Sequence, residues 1–449
     1  MLSIFGSSGF RGVFGYDLKP ELITKISWAF TSLGKNSVVI GWDTRLSSPL
    51  LALSAAIGVV EAGGLAKLAG MMPTPALAYI SRNDDAGIMI TASHNPPEYN
   101  GIKLFDSDSS SLTPIQYSLV EQRMALYSSA YDWRNLGLVA FSSNLLESYV
   151  SSLLNEGPLM QRAIAVDPGG GALCGLASNV LKQLGCHVKA INDKPDGLFK
   201  ARPSEPSPEA LRQLSECIKD HSLSCGFAFD GDGDRVVVVD ENGRVTQPDS
   251  LIAAYASYVV ERSRNKVVVV NLDTSFCVDL AVEKAGGKVV RTKVGDVFIT
   301  EQLKQLHGVF GAEPCGAWIH PDFSLCPDGL LSTVRLLKVL DEVKEPVSSF
   351  CSKYSPGIML RDKVSCENKL KSDVMQKVRV YADNIKYSKM ETIDGIWLRL
   401  EDYSWMLIRP SGTEPYIRIS VEAKDHKLAK DLLEKAKDIV KKSIEAVRQ

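Results

Sequence analysis

The sequence lacks several features that would settle its class at once. Its nine cysteines are scattered and none forms a Cys-x-x-Cys pair, which argues against a zinc site or disulfide framework and for a reducing compartment. No apolar run approaches the length of a membrane span. The opening Met-Leu-Ser-Ile-Phe-Gly-Ser-Ser-Gly has no basic stretch followed by an apolar one, so it does not read as a secretory signal, and a cytoplasmic, globular protein is expected. Net charge is −2, so no global basic field points to a nucleic acid. No segment carries the lysine of a P-loop, and the glycine run 169–171 lacks dinucleotide spacing and reads as a tight turn.

What is present is ordinary in bulk and specific in detail. The 449 residues are 45% hydrophobic and 23% charged, enough for a large core. The length prior gives about three domains. Three stretches begin alike: Asn36 to Asp43, Ala163 to Asp167 and Lys266 to Asp273, each an apolar strand ending on Asp. After each comes a helical stretch that closes on glycine and re-enters a strand, at Gly63-Gly64, Gly185 and Gly286-Gly287. Each unit therefore reads β-α-β, a further helix, then a strand carrying a polar loop. This order favours parallel sheets with right-handed crossovers, and ligands beyond the strand C-termini. The units are placed at 1–150, 151–252 and 253–350. From 353 to 449 the texture is that of a small α+β domain. Its last stretch is an amphipathic helix with apolar residues at Leu428, Leu432, Leu433, Ala436 and Ile439.

Four loops carry the polar chemistry. The first reads Thr-Ala-Ser93-His94-Asn95-Pro96 and runs on to Lys103. Ser93 either caps a helix or, flanked by His94, Asn95 and Lys103, exchanges a phosphoryl group with its charge neutralised. In the second, Asp230, Asp232 and Asp234 alternate with glycine. Such carboxylates repel unless a cation holds them, and hard oxygen ligands imply Mg2+ or Ca2+. An EF-hand count puts Glu241 at position twelve but fails at position six, where Arg235 replaces the required glycine. The third loop holds Glu313 and Cys315, confined by Pro314 and Gly316, a carboxylate suited to sugar hydroxyls or a plain turn. The fourth, Arg409-Pro-Ser411-Gly412-Thr413-Glu-Pro-Tyr-Ile-Arg418, reads as an anion nest.

With these motifs in view, the chain resembles the α-D-phosphohexomutase superfamily along its whole length, in motif order, spacing and a three-plus-one domain plan. The resemblance implies three similar α/β/α domains with mixed, largely parallel sheets and a C-terminal α+β domain around a central cleft. It implies that Ser93 is the phosphoserine, and that Asp230, Asp232 and Asp234 hold Mg2+ together with the Ser93 phosphate. Arg11, Lys103 and Arg235 match positions around the reacting phosphate. Glu313 and Cys315 match the sugar-reading loop, where the family usually has Ser in place of Cys315. Arg409, Ser411, Gly412, Thr413 and Arg418 match the loop that grips the other phosphate.

The implied reaction interconverts a hexose 6-phosphate and 1-phosphate through a hexose 1,6-bisphosphate. Arg291-Thr-Lys-Val-Gly-Asp296 and Asn100-Gly-Ile-Lys-Leu-Phe look like phosphoglucosamine mutases, notably archaeal-type ones. Pro195-Asp-Gly-Leu-Phe and Glu205-Pro-Ser-Pro-Glu also suit phosphomannomutase/phosphoglucomutase members. One departure stands out: the family's sugar loop commonly places His where this chain has Ala317, which leaves Lys103 as the expected proton acceptor. A metal-dependent sugar phosphatase and a silent sugar-phosphate sensor are the rival classes. The expected partner is a small sugar phosphate, with no nucleic acid and no membrane; a homo-oligomer stays compatible with all of it.

Overall fold

The computed structural model describes residues 4–6, 8–128, 132–142, 144–400, 404–411 and 415–448. The chain divides into two compact units, one of 1–248 with 309–350 and one of 249–308 with 351–449.

The first unit holds two sheets of the same design. In the larger, Ser37–Trp42 lies between parallel neighbours Leu65–Met71 and Ala86–Ile90. Ala86–Ile90 then pairs antiparallel with Tyr99–Asp106. The edges are Phe10–Val13 and Leu138–Phe141. In the smaller sheet Ala163–Asp167 lies between parallel His187–Ala190 and Cys225–Phe229, and the latter pairs antiparallel with Val236–Val239. The hairpin Phe310–Ala312 with Trp318–Ile319 belongs to the same unit. The polar loops that the sequence placed after these apolar strands are thus hairpin tips. Ser93 caps no helix.

These strands form because they are continuously apolar. All five residues of Ala86–Ile90 and of Cys225–Phe229 are buried, as expected of central strands covered on both faces. Only polar residues at the ends of such strands can reach solvent or a ligand, which places chemistry at the tips.

The second unit pairs Val267–Asn271 parallel with Lys288–Thr292. It also contains an antiparallel five-stranded sheet in the order Ile358–Ser365, Tyr416–Ala423, Trp405–Pro410, Ile396–Arg399, Lys389–Glu391. Helices Lys371–Ala382 and His426–Arg448 pack on it. In the latter, Leu432, Ala436 and Ile439 are buried while Leu428 and Leu433 pack partly against the same core, the amphipathic pattern read from sequence. Among the described residues no helix is long and apolar enough to cross a membrane.

One buried carboxyl has a measurable consequence for stability. Asp328 caps helix Gly329–Val343 by accepting the Leu331 N–H at 2.9 Å, and Tyr149 donates its hydroxyl to the same carboxyl at 3.0 Å. Burial pushes this carboxyl up to about 6, from 3.8 for an ordinary aspartate. Between those values the folded chain holds a proton that the unfolded chain has released. The group's contribution is therefore complete below the lower value and is lost as pH rises through the upper, by about 2–3 kcal/mol. In Asp328→Asn, which keeps a good cap, that slope should vanish. Urea midpoints of both proteins at about pH 4.5 and about pH 7.5 test it; parallel slopes would refute the assignment.

Candidate active site

Ser93 sits in the hairpin tip between Ala86–Ile90 and Tyr99–Asp106, fully buried and with a left-handed φ of 50°. For a non-glycine residue such a conformation costs about 1–3 kcal/mol, so it persists only where its surroundings enforce it. The Ser93 N–H donates to Thr91 Oγ1 at 2.9 Å, and its carbonyl accepts from Arg45 Nη2 and Ser204 Oγ, both at 2.8 Å. The hydroxyl is thereby aimed at the second hairpin tip, where it donates to Asp230 Oδ2 at 2.7 Å. His94 Nδ1 lies 3.3 Å from the same Oγ.

The glycines of the aspartate loop permit this approach. A Cβ on Gly231 would stand 2.7 Å from the Ser93 carbonyl oxygen and 2.3 Å from Ser204 Oγ. Gly233 takes a φ of 77°, which L side chains resist. The loop therefore turns Asp230, Asp232 and Asp234 into one buried cluster whose ligand oxygens all lie within 4.8 Å of one another.

The charges are balanced only in part. Lys103 Nζ donates to Asp232 Oδ2 at 2.8 Å and to Asp234 Oδ2 at 2.7 Å, and Thr74 Oγ1 donates to Asp232 Oδ2 at 2.5 Å. Burial, then the charges of Asp234 and Asp232, raise the Asp230 carboxyl well above the usual range. Burial acts the same way on Asp232, but the Lys103 ammonium outweighs it and holds that carboxyl down. Burial would likewise depress Lys103, yet Asp232 and Asp234 push it up. While those pairs hold, Lys103 is a proton donor and counter-charge rather than an acceptor. Burial, with Arg235 and Arg11 nearby, lowers His94 to about 2, so the imidazole is neutral.

The cluster fits a divalent cation on its own geometry. Among the described residues Asp232 Oδ1 and Asp234 Oδ1 are buried and have no hydrogen-bond partner, with Arg235 Nε 3.8 Å from the latter. Buried carboxylate oxygens left so are costly, and a hard ion bound by oxygens is the natural remedy. The EF-hand alternative ends here: the Glu241 carboxylate accepts from the Ser348 N–H at 3.3 Å and from its hydroxyl.

Other residues named from sequence surround this centre. Arg11, on Phe10–Val13 opposite Gly101, donates to Asn95 Oδ1 at 3.1 Å. Arg235 follows the aspartates, with Nη1 at 3.6 Å from Glu205 Oε2. The loop of Glu313 and Cys315 is stitched beside it, because Val236 N–H donates to the Gly316 carbonyl at 3.1 Å. Gly316 has a φ of 91°, and a Cβ there would meet the Val236 carbonyl at 2.3 Å. Glu313 is buried on this loop, and Cys315 Sγ lies 4.0 Å from its Oε2. Burial pushes the Cys315 thiol up to about 12, so it stays neutral. Trp318 packs edge-on to Phe310 at 5.3 Å, and buried His320 meets Ser332 Oγ at 3.1 Å, so both serve the core.

In the second unit, Arg409 and Arg418 are direct cross-strand partners on Trp405–Pro410 and Tyr416–Ala423, and Lys363 is the partner of Arg418 on its other side. Arg409 Nη1 lies 3.6 Å from Asp394 Oδ2 and Lys363 Nζ lies 4.3 Å from the Tyr416 ring, so part of the charge of this row is answered within the protein. Ser411 N–H donates to the Tyr416 carbonyl at 3.0 Å, and its own carbonyl accepts Lys371 Nζ at 2.6 Å. Gly412 and Thr413 lie outside the described residues.

Sequence reasoning missed Arg45, Thr74, Ser204, Lys363 and Lys371. Only Arg45 left a trace, as a charge two residues after the Asp that ends a buried strand.

Repeated α/β units that bring a serine hydroxyl, three carboxylates and flanking cations together define an enzyme of phosphoryl transfer. Profiles of phosphoglucomutase/phosphomannomutase match at residues 2–130 (α/β/α domain I), 144–243 (domain II), 247–356 (domain III) and 363–439 (C-terminal domain). The chain belongs to this family, within the α-D-phosphohexomutase superfamily, and is an isomerase of the mutase type. It is 36% identical to the phosphoglucosamine mutase of Methanocaldococcus jannaschii over 452 residues, with 99% of each chain covered. It is 38% identical to a probable phosphoglucosamine mutase of Methanopyrus kandleri over 450 residues, again covering 99% of both. A crystal structure of a phosphoglucomutase/phosphomannomutase family protein from Burkholderia thailandensis superposes with a TM-score of 0.87 at 26% identity, covering 100% of this chain and 98% of that one.

Proposed function

We propose that the protein interconverts glucosamine 6-phosphate and glucosamine 1-phosphate, with Ser93 as the phosphoryl carrier. The observation that carries this reading is the Ser93 hydroxyl bonded at 2.7 Å to a carboxylate of a buried triad. The choice of sugar rests on the full-length likeness to phosphoglucosamine mutases. Domains are assigned at 1–150, 151–252, 253–350 and 353–449.

Asp230, Asp232, Asp234 and the Ser93 phosphate would hold Mg2+. When bound, the ion would draw charge from the transferring group. Phosphoryl transfer runs through a loose transition state, so the protein's own task is position and charge. As the Ser93 Oγ–P bond breaks, a bond forms from a substrate hydroxyl oxygen to phosphorus. The hydroxyl proton leaves to a base, and Ser93 Oγ regains a proton. Lys103, once released from Asp232 and Asp234, is our assigned acceptor; neutral His94 stands beside Oγ. Arg11 and Arg235 would steady the phosphate, and Glu313 with Cys315 would read the sugar. Arg409, Ser411, Gly412, Thr413 and Arg418 would grip the phosphate that is not reacting. The 1,6-bisphosphate would reverse end over end before returning its other phosphate to Ser93. Among the described residues no cysteine is in a disulfide, which supports a cytoplasmic location.

The test is kcat/KM for glucosamine, mannose and glucose 6-phosphates, with bisphosphate activator and Mg2+ supplied. Glucosamine 6-phosphate should lead by about tenfold or more, the scale of discrimination from a single polar substituent. A mannose or glucose preference would move the chain to that branch. Release of inorganic phosphate without isomerisation would make it a phosphatase instead.

A further inference from the structure

The first and second repeats carry the same buried device. Each has an aspartate at the end of a central strand, Asp43 just past Ser37–Trp42 or Asp167 closing Ala163–Asp167, paired at 3.0 Å with a buried arginine, Arg45 or Arg202. In the second repeat Arg202 Nη2 donates to the carbonyl of Phe229 at 2.6 Å, the residue just before Asp230. In the first, Arg45 is committed more fully. Its Nε donates to Asp43 Oδ2, its Nη1 to the carbonyls of Pro96 (2.5 Å) and Tyr99 (2.9 Å), and its Nη2 to those of Ser93 (2.8 Å) and Asn95 (2.6 Å). All five guanidinium N–H groups are thus used on the protein and none remains for a phosphate.

The same ion pair holds Ser93 from its other side. Thr91 Oγ1 accepts the Ser93 N–H and donates onward to Asp43 Oδ2 at 2.7 Å. Both ends of the strained residue are therefore referred to one buried Asp–Arg pair. The second repeat completes the clamp: the Phe199 ring lies 5.1 Å from the Arg45 guanidinium carbon, and Ser204 Oγ donates to the Ser93 carbonyl.

We propose that Arg45 is a positioning residue for the reaction, holding Ser93 in its left-handed conformation so that Oγ faces Asp230. This rests on the reading of Ser93 as the phosphoryl carrier. A lysine keeps the charge against Asp43 but is a point donor and cannot span four carbonyls in one plane. A shift of Oγ by about 1 Å is worth about 10²-fold in rate. Steady-state kinetics of Arg45→Lys with the fastest of the three hexose 6-phosphates should show kcat lowered by about 10²-fold and KM within about threefold of wild type. Ser204→Ala, which removes one of the two donors to the Ser93 carbonyl, should give the same split at about tenfold. It decides the matter alone if Arg45→Lys does not fold. Wild-type kcat in the folded variants, or a loss carried by KM, overturns the inference. Ser93→Ala is measured alongside: if it stays active, the carrier reading fails, whereas an inactive Ser93→Ala beside a fully active Arg45→Lys sinks only the role of Arg45.

Discussion

Ser93→Ala should abolish isomerisation, by about 10⁴-fold or more, while the protein stays folded. The alanine removes the hydroxyl proposed to carry the phosphoryl group. It keeps the backbone supports, since the Ser93 N–H and carbonyl bonds do not involve the hydroxyl. Asp230 loses one donor but keeps the Gly233 and Arg235 N–H groups, both at 3.1 Å on its other oxygen. The expected stability cost is about 1–2 kcal/mol, the scale of one buried hydrogen bond. A coupled isomerase assay and a thermal melt read the two quantities separately. Intact mass of the wild type should show one added phosphate that excess substrate removes. Substantial turnover by the alanine variant would falsify the carrier assignment.

Asp230→Asn should separate activity from stability in opposite directions. Without metal, the aspartate triad is held with one carboxyl pushed well above its normal range by burial and by its two neighbours. An amide there removes that repulsion, so the metal-free variant should melt no lower than wild type. Wild type should gain stability on adding Mg2+, by about 2.7 kcal/mol at a hundred times its Kd. The variant should lose most of that gain, and its kcat should fall by about 10³-fold. Melts with EDTA, with Mg2+ and with Ca2+ supply the readout. If wild-type melting ignores both chelator and Mg2+, the triad holds no divalent ion and the two oxygens without a hydrogen bond among the described residues need another explanation.

The sequence made the site visible where chemistry is local. Ser93 with its Asn-Pro turn, the alternating aspartates and the Arg409 to Arg418 stretch are contiguous, so their spacing carried the message. Residues that act across the fold left little to read. Thr74 reaches Asp232 over 158 positions, and Ser204 reaches Ser93 over 111. Lys103 could be placed near the phosphate by resemblance, but not its pairing with two carboxylates, because charge state depends on who is buried beside it. Trp318 packs edge-on to Phe310, a contact between side chains eight positions apart that no local motif announces. The α/β pattern was legible through strands ending on Asp and helices closing on Gly. The antiparallel return strands, Tyr99–Asp106 and Val236–Val239, were not, since periodicity reports burial and not direction.

That each loop is the tip of a hairpin has an evolutionary corollary. A tip is fastened at both stems by cross-strand bonds, so lengthening or rewriting it leaves the register of the sheet untouched. Residues 313–317 could then diversify toward a new hexose while the serine and aspartate tips stay as they are. Selectivity and reactivity would be separately mutable on such a scaffold, and exchanging that one segment between relatives is the cheapest way to retarget it.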